Sequence, residues 1–267
     1  MDFKKLLILK QKTNIKKSKM INCYKITPNI EPKKITFNIE KNIHIINNYQ
    51  QPVNQIKGYV INLKKRTDRL ERFNINVKNN LPFLSIETID AIDGTTLDLK
   101  DDSLIKRITE WTLKNLNPKL LRGVVGCCIS HLECINKIAN GEDNYAIVFE
   151  DDCVFKDIKH QNYCNDFLKN LQIPEKFGVI YLNLYIKIST INCNNNYLNK
   201  VISGYQTAES YIISKEFAKI VYEENINNLG AFDAHLEISM LKNPNYPFYE
   251  LKDNYFIQCN RNDSNIR

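Results

Sequence analysis

The chain has 267 residues, 43% hydrophobic and 25% charged, with a formal charge of +7, proportions of globular material long enough to bury a sizeable core. The charge is uneven: residues 1–56 carry eleven lysines, no arginine and three acids, a charge of +8, which leaves −1 on residues 57–267. A neutral body lacks the clustered Lys and Arg of a nucleic-acid-binding domain, and no segment approaches the roughly 18 apolar residues of a membrane span.

The arm of residues 1–55 is Lys- and Asn-rich, and its apolar residues keep no sustained period. It reads as a poorly ordered or appended leader, with charge enough for weak contact with phosphates or an anionic membrane surface. Its apolar run Leu6–Leu9 is too short for a signal peptide. The eight cysteines form no CxxC pairs, so no zinc site is expected, and a reducing, cytoplasmic or cytoplasm-facing compartment is the simpler expectation.

From residue 56 to 267 strands and helices alternate. Gly58–Leu63 is a short apolar strand. Thr67 can cap the next helix, whose face is marked by Leu70, Phe73 and Val77. Pro82 breaks it, and Ser85–Ile92 is a second strand ending in the turn signal Asp93-Gly94. Residues 97–120, with the sole tryptophan, Trp111, read as an insertion of helical character. Gly126 precedes a helix carried by Cys128, Leu132, Ile135 and Ala139 and ended by Asn140-Gly141. Tyr145–Phe149 is an apolar strand running into Glu150, Asp151 and Asp152. Further strands are Gly178–Asn183 and Thr207–Ser214. Helices are Lys215–Glu224 and Asp233–Leu241, Asn192–Asn196 is a polar loop, and the tail from Pro247 holds one or two strands. This alternation predicts an α/β fold with a mostly parallel sheet flanked by helices.

The acidic triplet is the most informative run. Two unit charges at 4 Å cost about 4 kcal/mol at an effective dielectric of 20. A protonated member offsets that; a divalent cation does it better, since Mn²⁺ and Mg²⁺ prefer carboxylate oxygen. In an extended segment Glu150 and Asp152 share one side and Asp151 takes the other, the logic of an Asp-x-Asp clamp. A solvated acidic turn is the plain alternative.

Four segments line up with a known pattern: YVINLKKRTDRL from Tyr59, IDAIDG from Ile89, GCCISHL from Gly126 and IVFEDDCV from Ile147. Later come GYQTAESYIISKEFAK from Gly204, Phe232-Asp233 with Leu236, and Gln258 with Ser264-Asn265-Ile266. Together these resemble glycosyltransferase family 25, which includes bacterial lipooligosaccharide and procollagen galactosyltransferases. The resemblance implies a GT-A fold, a UDP-sugar donor carrying galactose or glucose, a divalent metal (Mn²⁺ or Mg²⁺), and inversion at the anomeric carbon, with a glycan or a hydroxylysine-type protein hydroxyl as acceptor. Glu150, Asp151 and Asp152 fall on its metal–diphosphate motif. Asn62, Arg66, Arg69, Asp93, Gly94, Ser130 and His131 fall on its nucleotide-side blocks, and Asp233 on its late aspartate.

These residue types suit that chemistry, each beside a plainer role. Arg offers planar, permanent charge to phosphate or is a solvated helix-start charge. Asn62 and Asp93 follow strand ends; Asp93 is otherwise a turn residue. Ser130 and His131 are expected in the first turn of a helix, where free amides favour anions, and His131 is otherwise a packed histidine. Inverting transfer needs a base for the acceptor hydroxyl. Asp233, opening a helix after a loop, is the first candidate or else an N-cap, and His131 is the second. His235 joins the metal shell or is structural. The rival readings are a catalytically degenerate GT-A-fold binding protein, a dinucleotide-dependent oxidoreductase, and a basic-arm adaptor. The oxidoreductase lacks its glycines, because Leu63–Arg69 holds none.

Overall fold

The computed structural model describes residues 56–170, 173–183, 189–193, 195–203, 207–252 and 256–258. The arm of residues 1–55, Gly204–Gln206, Ser264–Ile266 and the cysteines 23 and 259 lie outside the described residues.

The first unit is strand–helix–strand. β1 (Ile56–Asn62) and β2 (Leu84–Asp90) pair in parallel, joined by α1 (Thr67–Asn76). Phe73 and Val77 are fully buried and Leu70 packs beside them, the face expected from their spacing. Arg66 occupies the N-cap position but its side chain does not cap the helix amides, so Thr67 starts the helix and does not cap it. The insertion holds two short helices, α2 (Asp102–Ile105) and α3 (Glu110–Asn115).

α4 (Pro118–Ala139) is the longest helix, at 22 residues. It begins eight residues before the glycine expected to precede it. Asn117 caps it by accepting from Leu120 N at 3.0 Å, and Pro118 stands where a missing N–H is harmless. Gly126 is in mid-helix for a packing reason: a Cβ there would lie 3.0 Å from Gly94 Cα and from Ile92 O. The helix ends at Asn140, as expected.

β3 (Tyr145–Glu150) pairs in parallel with β1. β4 (Cys153–Phe155), α5 (Ile158–Lys169), β5 (Val179–Tyr181), β6 (Ser189–Asn192), β7 (Leu198–Ser203) and β8 (Ser210–Ser214) follow. α6 (Lys215–Asn225), α7 (Phe232–Lys242), β9 (Tyr249–Leu251) and β10 (Phe256–Gln258) complete the order. The sequence reading missed β4, α5, β6 and β7. Ile191 and Ile202, on β6 and β7, are exposed, so no apolar alternation marks these strands.

The main sheet has the order β2-β1-β3-β8-β5-β9-β7-β6. β8 is antiparallel to both β3 and β5, β9 is parallel to β5, β7 is antiparallel to β9 and β6 to β7. Six of the eight strands therefore point one way, with β8 and β7 reversed. Successive residues feed opposite faces. Tyr59, Ile61, Ala146 and Val148 join the core under α4, α6 and α7. Val60, Ile147 and Phe149 join the core with α1 and α5. This is the α/β class expected. β4 and β10 form a separate two-stranded ladder. Among the described residues no helix is long and apolar enough to cross a membrane.

Candidate functional site

The site lies at the carboxyl ends of β1 and β3, where α/β sheets hold ligands. Ile61 pairs with Glu150, so Asn62 and the acidic triplet leave the sheet side by side. Asn62 is buried, its Nδ2 donating to Leu63 O at 2.9 Å. Its Oδ1 has no partner among the described residues.

Glu150 ends β3, and the chain turns there. The extended alternation expected for the triplet therefore stops at its first member. Asp151 and Asp152 are both buried and both face Arg69, which is 6% exposed. Arg69 Nη1 stands 3.0 Å from Asp151 Oδ1, and Nη2 bonds Asp152 Oδ2. A guanidinium bridging two buried carboxylates supplies the planar donors that point charges lack. Burial still wins at Asp151: its carboxyl is pushed up to about 7, with Arg69 pulling the other way. Arg66, one helical turn earlier, bonds the neighbouring Asp68 through Nε and Nη2, each at 2.9 Å.

Glu209, which sequence reasoning missed, is a fourth acid here. Its backbone oxygen accepts from Glu150 N at 2.8 Å and from the Cys153 thiol at 2.7 Å. Its buried carboxylate accepts from Asn183 Nδ2 at 3.0 Å. Burial first, then Glu150 and Asp152, pushes it up to about 8. The signal was present, an acid set just before the apolar run SYIIS.

α4 delivers the next group. Ser130 and His131 are not in a first turn, because the helix begins at Pro118; the amides expected to hold an anion are already within the helix. Ser130 acts as a clip: Oγ donates to Gly126 O at 2.7 Å and accepts from Ile92 N at 2.8 Å. Together with the Gly94–Gly126 contact it fixes the 92–96 loop on the helix. Asp93 turns inward on that loop, accepting from Thr95 N at 3.0 Å and Thr95 Oγ1 at 2.7 Å and pairing with Lys65.

His131 is 1% exposed and stacks on Phe232, centroids 4.4 Å apart. Its Nδ1 meets the Tyr211 hydroxyl at 3.1 Å and its Nε2 meets Glu150 Oε1 at 3.2 Å. Burial lowers its pKa to about 3, with Asp233 opposing, so the ring is neutral near pH 7. Glu150 is raised by burial and then by Asp152, while Arg69 opposes.

α7 brings Asp233 to the same place. Ala231, not Asp233, is the N-cap. Asp233 accepts from Ala234 N at 2.8 Å, and its charge is felt at Glu150, His131 and Cys127. His235 is buried apart, its Nε2 without a partner among the described residues. A Cβ on Gly230 would stand 3.2 Å from that nitrogen. Burial lowers its pKa to about 4.

Among the described residues one set of three ligand atoms converges, all within 4.8 Å of one another: those of Cys127, His131 and Glu150. Glu150 is the one member of the expected metal set that joins it. Asp151 and Asp152 are turned to Arg69, and His235 lies outside. The site thus fits a cation through Glu150, but the triplet does not form an all-carboxylate seat.

A sequence model of glycosyltransferase family 25 (LPS biosynthesis protein) matches residues 55–235. The chain is 27% identical over 196 residues to a procollagen lysyl hydroxylase and glycosyltransferase of Acanthamoeba polyphaga mimivirus, covering 64% of this chain and 22% of that protein. It is 24% identical over 230 residues to procollagen galactosyltransferase 2 of Mus musculus, covering 79% of this chain and 35% of that protein. The chain thus spans about a fifth to a third of the length of these relatives. The family match takes in about two thirds of the chain, including Asn62, Arg69, the 126–131 block, the acidic triplet and Asp233; the chain belongs to glycosyltransferase family 25.

Proposed function

We propose that this chain transfers a hexose, most simply galactose, from a UDP-sugar to a hydroxyl of a glycan or a hydroxylysine-type protein acceptor, with inversion and with a divalent cation, Mn²⁺ or Mg²⁺. One observation supports this above others. Groups far apart in sequence (Asn62, Arg69, His131, Glu150–Asp152 and Asp233) converge at the carboxyl edge of a GT-A-like sheet.

Roles follow from the chemistry. Asn62 and the 92–96 loop, with Asp93 and Gly94, flank the strand ends where uracil and ribose would lie; Ser130 holds that loop on α4. Arg66, near the opening of α1, is the guanidinium nearer solvent and faces the donor diphosphate. Arg69 fixes Asp151 and Asp152. A cation held at Glu150 would offset the charge growing on the departing UDP. Asp233 takes the proton from the acceptor hydroxyl, whose oxygen bonds the anomeric carbon as the bond to the diphosphate oxygen breaks. His131, neutral and covered by Phe232, orients Glu150. In this reading catalysis belongs to residues 56–267. The arm of residues 1–55 is an appended, cytoplasm-facing tether with salt-sensitive contact to anionic surfaces and no nucleic-acid role.

A screen of common nucleotide sugars with Mn²⁺, scored by release of UDP to water, tests this without an acceptor. Hydrolysis of one UDP-hexose above the others is expected. Tight UDP binding with no turnover of any donor would favour the degenerate binding protein.

A further inference from the structure

We propose that Cys127, His131 and Glu150 form a mixed sulfur–nitrogen–oxygen seat for a borderline-soft divalent cation of the Zn²⁺ or Co²⁺ class. The inference rests on the reading of Glu150 as a cation ligand and changes its company, from neighbouring aspartates to a helix face.

The placement comes first. Cys127 and His131 are four residues apart on α4, so their side chains share one face. Glu150 arrives from the end of β3, beneath that face. The three ligand atoms lie within 4.8 Å of one another. In a tetrahedral zinc site with bonds of about 2.0–2.3 Å, ligand atoms stand about 3.3–3.8 Å apart. The His131–Glu150 separation of 3.2 Å is close to that spacing, and the Cys127 sulfur, within 4.8 Å of both partners, must draw nearer to them on binding.

The imidazole is prepared for either state. Tyr211 offers a hydroxyl to Nδ1, and a hydroxyl both donates and accepts. Without a cation, Nε2–H donates to Glu150 and the Tyr211 hydroxyl donates to Nδ1. With a cation, the proton moves to Nδ1 and is donated to the Tyr211 oxygen, which leaves the Nε2 lone pair for the metal. No hydrogen bond to Tyr211 is lost in the exchange. This is the outer support that metal-bound histidines ordinarily have, and the Phe232 stack holds the ring plane.

The surroundings favour positive charge. Asp151 and Asp152 follow Glu150 directly in the chain, and Asp233 lies in the first turn of α7 next to Phe232, the ring stacked on His131. Access is open, since 27% of the Glu150 side chain is exposed and Cys127 is half-buried. Binding displaces the thiol proton to solvent as the metal–sulfur bond forms. Three protein ligands leave a fourth position, as in zinc sites that bind a further group. The absence of CxxC spacing gave no notice of this seat, because its ligands come from a helix face and a strand end.

Co²⁺ titrated into the whole 267-residue chain tests the proposal through colour, not activity. One equivalent should raise a sulfur-to-cobalt charge-transfer band that Zn²⁺ bleaches, and Cys127→Ser should abolish the band. Losing an outer partner typically costs about 10–100-fold in metal affinity, so Cys127→Ser should weaken Zn²⁺ by at least that. Near-ultraviolet circular dichroism shows whether the variant is folded, and His131→Gln is the second variant if it is not. Co²⁺ bound without the band overturns the sulfur seat while leaving a cation at Glu150. A band that survives in Cys127→Ser overturns it too, by assigning the sulfur elsewhere. No binding of Co²⁺, Zn²⁺ or Mn²⁺, with or without UDP, overturns both the seat and the metal-dependent reading.

Discussion

Replacing Arg69 with methionine keeps the apolar stem in the α1–β3 interface and removes the charge between Asp151 and Asp152. Both carboxylates stay buried, at 5% and 3% exposure, so water cannot take over the role. Breaking a buried pair from one side costs about 3–5 kcal/mol. For a unit of this size each kcal/mol moves Tm by about 2–4 °C, which predicts a fall of about 6–20 °C. Protonation limits the loss, since holding one carboxyl protonated costs about 1.4 kcal/mol per pH unit above its pKa. Asp151 already sits near 7 in the native protein. At about pH 5 it is largely protonated and Arg69 does less, so the variant should lose much less Tm there than at about pH 8. Differential scanning calorimetry at the two pH values measures this. A fall under about 2 °C at pH 8, or a larger fall at pH 5, would refute the buried ion triad.

Three other outcomes follow. Asp233→Asn keeps the acceptor for Ala234 N but takes up no proton at neutral pH; transfer should fall about 10²–10⁴-fold, with Tm and UDP affinity unchanged by melting and calorimetry. Gly126→Ala puts a methyl against the backbone of Gly94 and Ile92; overpacking of this kind costs about 1–3 kcal/mol, seen as a lower denaturation midpoint. Burial pushes the Asp151 and Glu209 carboxyls up to about 7 and about 8, from ordinary values of 3.8 and 4.5. The native state therefore binds the extra protons, and the stability they contribute is present below about pH 4 and lost as pH rises to about 8. Glu209→Gln should flatten the upper part of that decline in a Tm-versus-pH series, and an unchanged slope would exclude Glu209 as its source.

By itself the sequence determined the α/β class and marked the strand that runs into the acidic triplet, while β4, α5, β6 and β7 left no readable signal. Apolar periods are local, so the spacing of Leu70, Phe73 and Val77 and the run into Glu150 could be read without knowing what they pack against. The helix phase also held a clue to Arg69: it stands four residues before the fully buried Phe73 and shares its face, whereas Arg66 opens the helix beside Asp68. Tertiary structure decided which charges meet. β8 runs antiparallel between β3 and β5, and that insertion alone carries Glu209 to the backbone of Glu150 and Tyr211 to His131. The start of α4 was hidden because Gly126, a break signal in one dimension, is in three dimensions the place where the helix touches Gly94. Periodicity reports how a segment faces its own layer. The pairing of a carboxylate with a guanidinium, a histidine or a thiol depends on strand order and helix contact, and these are settled only when the layers close.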